Sequence, residues 1–166
     1  MAEKMLAERL QPSLLDRLTD EEPTQKQESR AHRAIDITRL REIIKRDLSW
    51  LLNTNSLGAK ILDPERYPNA AKSVLNYGVR EVAGEYSTSV RAELIRKSIL
   101  NAISVHEPRI IMGSTAVELR TEQAKGETQI AFDIHADMWA QPVPLELYLR
   151  SKVDVTTGEI SLDRVG

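Results

Sequence analysis

The apolar residues of this chain recur at one period before Pro108 and at another after it, and that change constrains the fold more than any single motif. In "DITRLREIIKRDLSWLLN", from Asp36 to about Asn53, Leu40, Ile43, Ile44, Leu48, Leu51 and Leu52 repeat with the spacing of an amphipathic helix. Asp36 or Thr38 suits its N-cap, since either side-chain oxygen can satisfy an orphan amide. A second long helix is expected from Ser87 or Ser89 through "VRAELIRKSILNAISVH", with Leu94, Ile95, Ser98, Ile99, Ala102, Ile103 and His106 along one side and Arg91, Glu93, Arg96 and Lys97 elsewhere. Pro108 fixes its end, because the residue before proline is pushed out of the helical region.

Beyond Pro108 the period becomes two. "RIIMGSTAVEL" and "TQIAFDIHADM" are strand candidates, the second with Ile130, Phe132, Ile134, Ala136 and Met138 on one face. The polar "RTEQAKGE" between them reads as a longer hairpin connection. A third strand, "PLELYLRSKVDV", alternates Leu145, Leu147 and Leu149, and "TTGE" turns tightly into "ISLDRV". Helices first and antiparallel strands afterwards predict an α+β fold: two main amphipathic helices packed on a small, mostly antiparallel sheet, with an N-terminal tail.

That tail comprises residues 1–34, and the single α+β domain 35–166. Within the tail, "TDEEPTQKQESRAHR" has no apolar periodicity and reads as a solvated linker. Ahead of it, "PSLLDRL" puts Leu14, Leu15 and Leu18 on one side of a helix too short to be stable alone. It either docks on its own domain or folds on a partner. Between Asn55 and Tyr86, turn formers and three tyrosines indicate an irregular connection with a short helix near Ala70 to Leu75. Its tyrosines serve as a recognition surface or as loop anchors with a wet hydroxyl, the commoner use.

Bulk properties remove several functions. Charged residues form 29 % of the 166 but nearly cancel, to a formal −2, which leaves no basic footprint for nucleic acid or an anionic membrane. With no cysteine there are no disulfides, thiol nucleophiles or Cys-based zinc sites, and His32, His106 and His135 have no ligand spacing. Acids interrupt every apolar stretch of "MAEKMLAERLQPSLLDRL", so neither a signal peptide nor a span is expected there, and a cytoplasmic protein is. No Gly-rich phosphate loop or hydrolase motif occurs, and no cofactor is expected. Carboxylate chemistry remains: a glycosidase needs two acids, and Glu107 with Asp47, Glu118 or Asp133 could supply them. Among 25 acidic residues such a pair arises by chance, so an enzyme is not expected.

"SVHEPRII" sets a sharper problem. Glu107 sits at a helix C-terminus, where the dipole disfavours an acid by on the order of a few tenths of a kcal/mol, while Arg109 is favoured there. Either Glu107 pairs with a nearby arginine, or Pro108 holds acid and arginine splayed apart for a second protein to complement. Asp47 raises a related question on the first helix. One heptad after Leu40, it lies at the edge of the apolar stripe or, if buried, needs a cation.

In order, "SLLDRL", "RDLSWLLNT", "YP", "SVLNYG", "EPR" and a C-terminal "TG" hairpin resemble the TssE family, the small baseplate subunits of bacterial type VI secretion systems. That family is similar to the lysozyme-like wedge protein of contractile phage tails. The resemblance spans about Ser13 to Gly158, with one departure: Val79, Arg80 and Glu81 stand where the family continues with an apolar residue, Pro and Asp. It implies a structural subunit that docks the larger wedge subunits TssF, TssG and TssK, gives the sheath subunits TssB and TssC a platform for polymerisation, and works in the cytoplasm at a baseplate associated with the inner membrane. It also implies partner-binding roles for Glu107, Pro108 and Arg109, and for Leu14, Leu15 and Leu18. The lysozyme-like alternative, a peptidoglycan hydrolase with Glu107 as general acid, has no diagnostic motif in support.

Overall fold

Asp36 opens the first long helix by accepting the main-chain N–H of Arg39 on its carboxylate at 2.6 Å. In the computed structural model, which describes residues 13–19, 24, 35–81, 89–120, 129–139 and 144–164, this helix is α2, Ile37–Leu52. Before it comes α1, Leu14–Leu18, capped by Ser13. After it come α3 (Gly58–Ile61), α4 (Pro68–Ala71), a 3-10 turn at Val74–Asn76 and α5, Ser89–His106. Strands β1 (Ala116–Arg120), β2 (Gln129–Met138), β3 (Leu145–Asp154) and β4 (Ile160–Arg164) form one antiparallel meander in that order. The fold is α+β, with two long helices against a four-stranded sheet. The "RTEQAKGE" connection after Arg120, most of the expected linker, Tyr86 and Ser87 lie outside the described residues.

The core sits between the helices and one face of the sheet. Leu40, Ile43, Ile44, Leu48, Leu51 and Leu52 are all buried, as the 3.6 period predicts, and so are Ile130, Phe132, Ile134, Ala136 and Met138, as the period of two predicts. Each large apolar side chain placed there contributes roughly 1.5–3 kcal/mol relative to exposure. On the opposite face of the sheet, His135 stacks on Tyr148 at 4.1 Å and Asp133 accepts from Arg150 at 3.5 Å, so that face is polar. Helix α5 lies against β1, and α2 against α5 and β4.

Two sequence expectations fail in detail. Along α5 the buried set is Arg91, Ala92, Ile95, Ile99, Ala102 and Ile103, while Leu94 is 41 % exposed. The helix is therefore rotated towards Ala92 and Arg91 relative to the stripe drawn through Leu94. The strand expected over "RIIMGSTAVEL" is also broken. Ile110 makes a single bridge to Met138, Gly113 turns with φ +82°, and only Ala116–Arg120 pairs continuously with β2. The Ser114 hydroxyl replaces a ladder contact, accepting the Asp137 N–H at 3.0 Å and donating to the Ile111 carbonyl at 2.8 Å.

The long connection is anchored at "NYG". Val79 N–H donates to the Thr54 carbonyl and Ser56 N–H to the Val79 carbonyl, both at 2.8 Å, forming a short parallel bridge at the C-terminus of α2. Gly78 sits there at φ +119°, and a Cβ on it would lie 2.2 Å from the Thr54 oxygen. Val79 is buried and the Arg80 N–H donates to the Ser98 hydroxyl at 2.8 Å, so the segment that departs from the family pattern packs onto α5.

Candidate functional site

Helix α5 ends at His106, and Glu107 N–H still donates to the Ile103 carbonyl at 3.0 Å. Pro108 then forces a turn that closes with Ile110 N–H on the Glu107 carbonyl at 3.2 Å. The far side of the turn is tied to the end of β2: Ile111 N–H donates to the Asp137 carbonyl and Trp139 N–H to the Arg109 carbonyl, each at 2.8 Å. The corner's backbone is thus held from both the helix and the sheet.

Its side chains answer the problem of the acid at the helix end. Arg109 donates to one Glu107 oxygen through Nε at 2.6 Å and through its own main-chain N–H at 3.1 Å, and to the other oxygen through Nη2. This fork-to-fork geometry is the strong form of the arginine–carboxylate pair. The expectation that proline splays the two charges apart is therefore corrected: Pro108 bends the chain so that residue 109 folds back onto residue 107. The Glu107 side chain is 5 % exposed, and pairing offsets the desolvation of its charge.

The pair continues across the molecule. Arg109 Nη2 also lies 2.8 Å from Asp47 Oδ2. Asp47 holds Arg46, whose Nε and Nη2 donate to Oδ1 at 2.9 and 2.7 Å. Arg46 in turn donates to both Asp16 oxygens, at 2.6 and 3.1 Å, and Asp16 accepts from the Ser13 hydroxyl. The Arg46 guanidinium lies 4.8 Å from the centre of the Trp50 ring. Acid and base thus alternate from the α5 corner, over α2, to α1.

Titration shifts follow this order. The Arg46 hydrogen bonds hold the Asp16 carboxyl down at about 2, against burial and with help from Ser13. Burial alone would lower Arg109, but Glu107 and Asp47 outweigh it and hold the guanidinium above its ordinary value. Burial and the charges of Asp47 and Glu107 push the Tyr77 hydroxyl up. Tyr77 also meets His106 edge to face at 5.3 Å.

Leu14, Leu15 and Leu18 are 69, 51 and 75 % exposed, although α1 is docked. The two sequence motifs come together all the same. Ser13, Leu14 and Leu15 form one wall of an open cleft of about 470 Å³, and Glu107, Pro108 and Arg109 form another. Asp47 is half-buried at the edge of the α2 stripe, the first of its two alternatives, and it is paired with Arg46 and Arg109 although it is not fully buried. Sequence reading did not find Arg46, Asp16 or Trp50; the available signal was an acid on an apolar stripe beside a basic residue, which calls for a fixed cation. For the carboxylate chemistry, both Glu107 oxygens are engaged by Arg109, while Glu118 and Asp133 are register partners on β1 and β2. Among the described residues no group of three His, Asp or Glu could hold a metal ion, and no helix is long and apolar enough to cross a membrane.

A family model for the baseplate wedge protein gp25 matches residues 38–143. The chain belongs to that family. Members of the baseplate wedge protein gp25 family are structural, and membership implies contact with other baseplate components. The match takes in α2 through β2, and with them Asp47 and the Glu107–Arg109 corner; α1, β3 and β4 lie outside it. No curated protein and no solved structure gave a significant match.

Proposed function

We propose that this wedge protein is the TssE-type subunit of a bacterial type VI secretion baseplate, not an enzyme. In this reading it works in the cytoplasm, at the baseplate associated with the inner membrane. It docks TssF, TssG and TssK through the Glu107–Pro108–Arg109 corner and the leucines of α1, and offers TssB and TssC a platform for sheath polymerisation. The observation that carries the reading is the family match over 38–143, inside which the corner is rigidly tied to both helix and sheet. The sheet edges add no support of their own: an edge strand is the natural template for an added strand, but both edge strands here already carry side-chain partners. Asn53 covers the edge of β4 at Ile160, and Arg96 Nη1 reaches the Val117 carbonyl of β1 at 3.5 Å.

Co-purification with candidate wedge and sheath subunits, with and without residues 1–33, tests this role. Retention of the full chain by the wedge subunits is expected; no retention overturns the reading. Arg109→Ala is expected to abolish sheath assembly in cells while leaving a folded protein by circular dichroism. Clearing of a cell-wall suspension by the purified protein would instead establish the hydrolase.

A further inference from the structure

We propose that the Ser13–Leu18 motif and the Glu107–Arg109 corner are two halves of a single docking cleft, assembled by Asp16 on Arg46. Its occupant is a segment of a neighbouring baseplate component that carries an apolar side chain beside a lysine or arginine. The inference rests on the assembly reading above and adds to it the construction of the site and the chemistry of what enters.

Assembly follows from what holds α1 in place. A helix of five residues is not stable alone, and α1 has no buried residue, so apolar burial does not dock it. The contact is polar: Asp16 takes two bonds from Arg46, and Arg46 is fixed by Asp47 and by the Trp50 ring. Because the second Asp47 oxygen is held by Arg109, the positions of the two motifs are set through three consecutive ion pairs. Docked this way, α1 contributes Leu14 and Leu15 to the cleft while leaving Leu14, Leu18 and Trp50 more than half exposed. Apolar surface gathered at a cleft and left unburied marks an interaction site.

The charge balance selects the occupant. Three carboxylates, Asp16, Asp47 and Glu107, face two guanidiniums, Arg46 and Arg109, leaving one negative charge in excess. Arg39, whose charge also reaches Asp16, lies 3.7 Å from Glu42 and does not change the sum. A complementary segment therefore places an apolar group against Leu14, Leu15 and Trp50, with a cation at the rim.

The chain has no cysteine, so Arg17→Cys provides a unique position for a spin label. In the full-length protein the label is expected to broaden the Trp50 indole and Tyr77 amide signals, and Asp16→Asn is expected to abolish that broadening with the rest of the spectrum unchanged. Broadening that survives Asp16→Asn overturns the cleft and leaves the assembly reading standing. In titrations against co-expressed wedge subunits, Asp16→Asn and Arg109→Gln are each expected to weaken binding about tenfold and the double variant by little more, as for residues acting as one unit. Losses that multiply overturn the single cleft. A parent chain that fails to bind overturns the assembly reading and the occupant with it, whatever the spin label reports. A photo-reactive side chain at Leu15 is expected to capture a partner peptide with Lys or Arg next to an apolar residue. An acidic captured peptide overturns the charge assignment.

Discussion

Two glycines should respond differently to the same change. Gly78 and Gly113 both have positive φ, but a Cβ at Gly113 meets nothing within 4 Å, whereas at Gly78 it lies 2.2 Å from a main-chain oxygen. Gly113→Ala is expected to destabilise by about 1–2 kcal/mol, the conformational term alone. Gly78→Ala adds a clash that displaces the "NYG" anchor, and a loss of at least about 3 kcal/mol is expected in urea unfolding. Equal losses at the two sites would show that the anchor yields freely. At the corner, Arg109→Ala leaves the Glu107 carboxylate buried without its guanidinium. Allowing for solvent screening on the Arg109 side, that costs about 2–3 kcal/mol, or roughly 4–12 °C in Tm for a chain of this size. Glu107→Gln, which keeps an acceptor for Arg109, is expected to lose less. A thermal scan in which Glu107→Gln is the more damaging change would contradict this account of the pair.

Among the elements, α1 depends on one titrating contact. Asp16 titrates at about 2 in the folded chain against 3.8 when free, so the Arg46 pair supports docking fully above pH 3.8 and loses that support as pH falls towards 2. After discount for screening the contribution is about 1 kcal/mol. Amide exchange over 14–19 is expected to rise in that acid window; a midpoint near pH 6.5 would assign release to a histidine instead. A second prediction concerns α2 and β4. The Asn53 side chain caps α2 by donating to the Ser49 carbonyl at 2.8 Å, and also donates to and accepts from the Ile160 main chain at 2.8 Å. Asn53→Ala is expected to cost about 1–2 kcal/mol and to raise exchange at Ile160 before any other strand residue. The helices and strands themselves were legible because burial on one face imposes a period, and it did so on α2 and β2 without exception. The errors on α5 and at "RIIMGSTAVEL" share a cause. Arg91 is counted polar although buried, and Gly113 with Ser114 interrupts the expected strand, so that the buried Ile110 and Val117, seven residues apart, fall out of step with a period of two. What no period encodes is a bond between side chains far apart in sequence, so Glu107 and Asp47 were visible as misfits while Arg46 and Asp16 were not.

On the scale of the whole molecule, the sequence predicts a boundary near residue 34, and the burial pattern gives that expectation a measurable form. Among the described residues the first buried side chain is Leu40 and the last Leu162, so both faces of the core come from the segment after the boundary. The N-terminal segment adds to this body the Asp16–Arg46 bridge and a set of exposed leucines. Surface exposed on unfolding, and hence the denaturant slope, is set by the core. Removal of residues 1–34 is therefore expected to leave one cooperative transition with its slope almost unchanged. Losing a single partly screened bridge should lower Tm by no more than about 4 °C. A loss of cooperativity, or a clearly smaller slope, would mean that the N-terminal residues bury surface of their own and that the chain unfolds as one unit from its start. With a conserved slope, by contrast, the leucines of α1 contribute to docking and not to folding, and impaired wedge binding by the truncated chain reports on the cleft with the body intact.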